Sequence, residues 1–201
     1  LMNASRYYDD YVKSGQYAKS EIFTHLGREF TQLSGTRFGV IGMGAIGKRV
    51  AAVASAFGAQ VYYNSTSGKN LNVEGYPHLP LEELLASSDV VSIHCPLNDR
   101  THNLLSGARL RLMKPTAYLI NMGRGGIVDE AALAGAINEN MIAGAALDVL
   151  EAEPMAASSP LLSVGRPEKL LITPHIAWAS REARRLLITG TAQNIKGHFL
   201  V

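Results

Sequence analysis

The sequence predicts an α/β fold, a doubly wound parallel sheet with helices on both faces. Three observations predict it. Six apolar runs rich in β-branched and aromatic residues lack polar alternation, as strands buried on both faces do. Helical patterns separate these runs, and strand–helix–strand order implies right-handed crossovers within one sheet. The first strand–helix junction carries Gly42-Met43-Gly44-Ala45-Ile46-Gly47, the spacing of a phosphate-binding turn in a Rossmann-type sheet.

In chain order, residues 1–35 read as helical and then loop-like. Tyr7 and Tyr11 stand four apart on one helix face, a packing surface. The segment does not start like a domain, so the chain is expected to begin partway through a longer protein. Strands are predicted at 38–41, 61–63, 90–93, 117–120, 143–149 and 170–173. Helices are predicted at 46–57, 81–86, 107–113, 130–138 and 181–196. An open sheet of this kind binds ligands at the carboxyl ends of its strands, so the strand exits are where chemistry is expected.

Composition narrows the class. The chain has 201 residues, 47% of them hydrophobic, enough for a sizeable core. Net charge is +2. The basic residues are scattered apart from Arg181, Arg184 and Arg185, which read as a solvated helix face rather than a nucleic-acid patch. No run approaches the ~20 apolar residues of a membrane span. The opening "LMNASRYYDDYVKSG" does not read as a signal peptide. The single cysteine, Cys95, has no internal partner, which fits a reducing, cytoplasmic compartment. His25, His78, His94, His102 and His198 show no metal-ligand spacing, and no metal is expected.

Each glycine of the turn has its own reason. Gly42 permits the tight turn, Gly44 lets the backbone approach a pyrophosphate, and Gly47 lets the helix pack on the strand. The helix N-terminus offers free N–H groups and partial positive charge. After the second strand an acidic residue would favour NAD by accepting from the ribose hydroxyls. Here stand Asn64, Ser65, Thr66 and Ser67, with Lys69 beyond. Uncharged donors and a cation favour the 2′-phosphate of NADP. The other reading is that Asn64 bonds the ribose hydroxyls of NAD.

Three further residues stand at later strand exits. Arg124 lies between glycines in Asn121-Met122-Gly123-Arg124-Gly125-Gly126. A guanidinium there can hold a carboxylate and an adjacent carbonyl oxygen through its fork. Glu153 follows in "DVLEAEP" and His175 in "ITPHIAW". A histidine held by a carboxylate can carry the proton while a hydride moves to or from a nicotinamide.

The motifs "GMGAIG", "HCPLN", "NMGRGGIVDEAAL", "GAALDVLEAEP" and "TPHIAW" resemble the D-isomer-specific 2-hydroxyacid dehydrogenase family over residues 6–199. The resemblance implies Arg124 at the substrate carboxylate and carbonyl, Glu153 (immediately before proline, hence preferred to Glu151) paired with the histidine, and His175 as the proton carrier. It implies Ala45 and Ile46 at the pyrophosphate, Cys95 and Pro96 along the cofactor, and Met122 and Gly123 touching it by backbone. Asp148 is implied at the nicotinamide carboxamide and Trp178 near the substrate pocket. It further implies two domains, with residues 1–35 a crossover helix and linker, 36–179 the dinucleotide-binding domain, and 180–201 a helix returning toward a substrate domain that is mostly missing. A homodimer is implied, with a small 2-keto or 2-hydroxy acid as substrate, of the glycerate/hydroxypyruvate or glyoxylate type. The fragment alone is expected to be inactive. Two rivals share the pattern: an NAD(H)-sensing binding protein of the corepressor type, and a relative oxidising formate or phosphite.

Overall fold

In the computed structural model, which describes residues 1–199, the six apolar runs pair as one parallel sheet. Its strands are β1 (Arg37–Ile41), β2 (Gln60–Asn64), β3 (Val90–Ile93), β4 (Tyr118–Asn121), β5 (Gly144–Leu147) and β6 (Leu170–Ile172), in the order β2-β1-β3-β4-β5-β6. The winding direction reverses between β1 and β3. That switch point leaves a crevice outside the carboxyl ends of the two strands.

The helices are α1 (Ser5–Lys13), α2 (Ala45–Ala56), α3 (Leu81–Ser87), α4 (Gly107–Leu110), α5 (Glu130–Asn138) and α6 (Arg181–Phe199). Successive strand residues point to opposite faces, so neighbours in β1 feed different cores. Ile41 joins Leu84 and Leu85 of α3 and Leu133 and Ile137 of α5 on one face. Val40 joins Ala51 and Ala54 of α2 on the other. Each fully buried leucine here contributes on the order of 2 kcal/mol through removal from water.

Pairing registers place Asn64, Ile41, Ile93, Asn121, Leu147 and Ile172 in one lateral row across the sheet. Every residue expected to carry chemistry lies at this row or just beyond it.

Three predicted elements are shorter than expected, the strand foreseen at 170–173 by one residue. The helix foreseen at 107–113 ends at Leu110. Beyond it the chain tightens into turns, with Leu112 N donating to Arg109 O and Met113 N to Leu110 O, the three-residue spacing that commonly closes a helix end. The strand foreseen at 143–149 pairs only over Gly144–Leu147. The Tyr7/Tyr11 face does pack: Tyr7 Oη lies 2.8 Å from His25 Nε2, and the Tyr11 ring stacks on the His25 ring at 3.8 Å.

Candidate active site

The glycine turn bears out the steric reasons for Gly42 and Gly47. Gly42 has φ +95°, and a Cβ there would meet the Cys95 backbone nitrogen at 2.6 Å. A Cβ on Gly47 would run into the carbonyl oxygen of Gly42. Gly44 differs from both: nothing lies within 4 Å of where its Cβ would be. Space is thus kept open at the N-cap of α2, where no side chain caps the helix. The first-turn N–H groups have no intrahelical partner there, and with the helix dipole they favour an anion. An open cradle under unpartnered donors fits a dinucleotide diphosphate. Ile46 stands exposed beside it while Met43 is buried beneath.

The turn opens onto a cleft of about 500 Å³ at the β1/β3 switch point, walled by the loop after β2 and the loop after β3. Ser65, Thr66, Ser67 and Lys69 form one wall. Asn64 contributes less than expected, because its Nδ2 donates one hydrogen to Leu79 O at 3.0 Å; the second Nδ2 hydrogen and Oδ1 are left for a ribose. On the facing wall Cys95 is buried, and that burial pushes its thiol up to about 11. It is a neutral, inert contact surface. Pro96 follows, its carbonyl accepting from the buried Thr101 hydroxyl at 2.6 Å. Burial also lowers the pKa of His94, whose Nε2 lies 2.8 Å from Ser92 Oγ.

Farther along the row, the buried Asn121 shapes the arginine loop from both sides. Its Oδ1 accepts from Gly123 N at 3.0 Å and its Nδ2 donates to Arg124 O at 3.0 Å. Gly125 has no room for a side chain, because a Cβ would collide with Leu150 O. The loop after β4 is therefore pinned against the chain after β5. Arg124 spends one donor, Nη1, on Gly123 O at 2.9 Å. The rest of its fork remains for a ligand.

Glu153 joins the remaining elements. Its Oε1 accepts from Leu150 N at 2.8 Å, and its Oε2 lies 2.7 Å from His175 Nδ1. The hydrogen bond with His175 and then that from Leu150 N hold its carboxyl below the usual range, with Arg124 adding a smaller electrostatic pull. Glu153 thus feels both of the other expected residues. Both side chains of the pair are 37% exposed, so the dyad is open to solvent.

His175 sits at φ +52°, a conformation unusual for a residue with a Cβ. Asp148 supplies the restraint. Its backbone O accepts from His175 N at 2.9 Å. Its carboxylate Oδ1 accepts from Thr173 Oγ1 at 2.5 Å and Ile176 N at 3.0 Å, and Oδ2 from Ala177 N at 2.9 Å. Burial opposes ionisation, but the Thr173 hydroxyl and the two N–H groups outweigh it and lower the pKa. The carboxylate expected at a carboxamide is thus also the clamp of the histidine loop, and a carboxamide would have to share Oδ2. Trp178 lies half-exposed three residues past His175.

Asn121, Thr173 and Thr101 were not singled out by the sequence reading. For Asn121 and Thr173 the one signal available was a polar residue at the end of an apolar run, which marks a buried group needing partners; Thr101, inside the polar run 98–103, carried none.

A family model described as D-isomer specific 2-hydroxyacid dehydrogenase, NAD binding domain, matches residues 1–177. A glyoxylate reductase from Aeropyrum pernix is 41% identical over 194 residues, covering 93% of this chain and 56% of that protein. The structure of a D-lactate dehydrogenase from Aquifex aeolicus, complexed with NAD and lactic acid, superposes with TM-score 0.86 at 30% identity, covering 98% of this chain and 61% of the other. That of an acyclic imino acid reductase in complex with NADPH and D-arginine gives TM-score 0.80 at 31% identity, covering 94% and 59%. The chain spans about half the length of the curated relatives it matches.

Proposed function

The chain belongs to the D-isomer specific 2-hydroxyacid dehydrogenase family, and from that premise we propose that it forms the dinucleotide half of an oxidoreductase interconverting a small 2-keto acid and its D-2-hydroxy acid. The observation that carries the reading is the 2.7 Å contact of Glu153 with His175 at the carboxyl edge of the sheet, within the electrostatic reach of Arg124.

The residues divide the work as follows. A nicotinamide dinucleotide, when held by these residues, would supply or take the hydride. Arg124 holds the substrate carboxylate with its free N–H groups and polarises the keto oxygen. His175 has Nδ1 committed to Glu153, so Nε2 delivers the proton to that oxygen in reduction and removes it in oxidation. Glu153 orients the ring by accepting from Nδ1. Gly42, Gly44, Gly47, Ala45 and Ile46 seat the diphosphate. Cys95, Pro96, Met122, Gly123 and Asp148 line the cofactor's path, and Trp178 borders the substrate.

The same proposal divides the chain into a crossover segment (1–35), a dinucleotide-binding domain (36–179) and a returning helix (180–201), of which residues 200 and 201 lie outside the described residues. A glyoxylate- or hydroxypyruvate-type substrate fits the reductases the chain resembles. NADP is favoured over NAD because Ser65, Thr66, Ser67 and Lys69 stand where an acid would repel a 2′-phosphate. A homodimer is supported by the exposed Ile22, Phe23, Leu26 and Phe30, and a cytoplasmic setting fits a single cysteine with no internal disulfide partner. No helix among the described residues is long and apolar enough to cross a membrane.

The test is kcat/KM of the complete protein on a 2-keto acid panel with NADPH and NADH. Turnover of glyoxylate or hydroxypyruvate with NADPH preferred is expected. No turnover on any 2-keto acid would overturn the enzyme reading, and a strong NADH preference would overturn the NADP one.

A further inference from the structure

The cleft at the β1/β3 switch point carries a second cation that the motif reading passed over. Arg100 reaches it from the loop after β3, while Lys69 reaches it from the loop after β2. The two positive side chains therefore come from opposite walls. Neither one hydrogen-bonds or ion-pairs through its side chain with any described residue. No carboxylate is among the residues lining the cleft, while Ser65, Thr66 and Ser67 add three hydroxyls.

Two uncommitted cations facing each other across hydroxyl donors, with no acid to neutralise them, suit a dianion. The diphosphate of a dinucleotide is already provided for at Gly44 and the N-terminus of α2. A further phosphate must therefore belong to the part of the ligand that extends past β2, the adenosine ribose.

We infer that Arg100 is a cofactor-specificity residue, closing with Lys69 on the 2′-phosphate of the adenosine ribose. This rests on the NADP reading above and adds to it the second half of the phosphate clamp. An arginine suits the place better than a second lysine. Its fork can take two phosphate oxygens at once and its plane can lie along the adenine ring.

Isothermal titration of the complete protein tests this with two probes that differ only in the phosphate in question: adenosine 2′,5′-bisphosphate and adenosine 5′-monophosphate. The native protein binds the bisphosphate about tenfold or more tightly, the scale of a charge-assisted contact. Arg100→Gln weakens the bisphosphate about tenfold and leaves the monophosphate unchanged, which also shows that the variant is folded; R100K keeps part of the preference. An unchanged ratio in R100Q overturns the role of Arg100 while the NADP reading stands. Equal binding of both probes by the native protein overturns both. Equal loss of both probes in R100Q also overturns the specificity role, assigning Arg100 to the adenosine as a whole.

Discussion

Oε2 of Glu153 and Nδ1 of His175 lie 2.7 Å apart, and the contact decides which imidazole nitrogen is available. An ionised carboxylate only accepts hydrogen bonds, so Nδ1 carries the hydrogen and Nε2 is the nitrogen left for the proposed proton transfer. The backbone N–H of Leu150 holds the other carboxylate oxygen, so Glu153 cannot swing away without breaking two bonds.

Glu153→Gln removes the charge but keeps the shape. It is expected to lower kcat on the keto acid by about 10²-fold, and His175→Gln by about 10³-fold, within the range of lost acid–base catalysis. Steady-state kinetics of the complete protein check both. Near-normal kcat in H175Q would remove His175 from the proposed mechanism.

The pH dependence of the pair has a definite sign. The carboxyl of Glu153 is lowered first by its hydrogen bond with His175. A depressed folded-state pKa gives stability that is present above the unfolded value and lost as pH falls through the folded one. Carbon NMR titration of Glu153 should therefore give a value below the ordinary glutamate range, and His175→Asn should return it upward. No movement in H175N would mean that the contact does not form in solution.

Arg124→Lys keeps the charge and loses the fork. We expect kcat/KM for the keto acid to fall about 10²-fold, with affinity for the dinucleotide unchanged, since a lysine cannot bind a planar carboxylate in two-point fashion. Kinetics together with cofactor titration separate the two effects.

Gly44 and Gly47 make a paired test. Gly44 faces open space at φ −81°, so Gly44→Ala should leave Tm within a degree or two and weaken dinucleotide binding by intruding on the cradle. Gly47→Ala forces a methyl group against the Gly42 carbonyl and should cost about 1–3 kcal/mol of stability through overpacking. Calorimetry with cofactor titration reads both; equal Tm loss in the two variants would contradict the geometry.

Asp148→Asn tests the restraint on the His175 loop. Asn keeps one acceptor where the carboxylate holds three donors, and a loss of about 1–3 kcal/mol is expected for bonds to a buried charge. In the native protein that contribution fades as pH drops through the depressed pKa of Asp148. Hydrogen exchange at Ile176 and Ala177 should accelerate in D148N.

Much of this was legible in the sequence. The six strands announced themselves because parallel strands are apolar throughout, and Gly42 and Gly47 because two different steric demands can be met only by glycine. Glu153 and His175 could be read as candidates from their strand exits, but only the family resemblance paired them, since 22 residues separate them and the sheet register is what brings their exits together. Asp148 was read as a ligand contact; its carboxylate bonds Thr173, Ile176 and Ala177, which lie across a strand boundary that spacing does not reveal. Arg100 passed unnoticed because an exposed loop arginine has no signature until the facing wall is known.

The shared register of Asn64, Ile41, Ile93, Asn121, Leu147 and Ile172 has a consequence for how this protein can change. Since the proposed reacting groups all hang from one rim, the connections at the opposite rim can lengthen, shorten or acquire new binding modules without disturbing the proposed chemistry. A single-residue insertion inside any one strand is a different matter. It would carry that strand's group about 3.3 Å along and turn it to the other face, so evolutionary or engineered variation should concentrate at the amino-terminal rim.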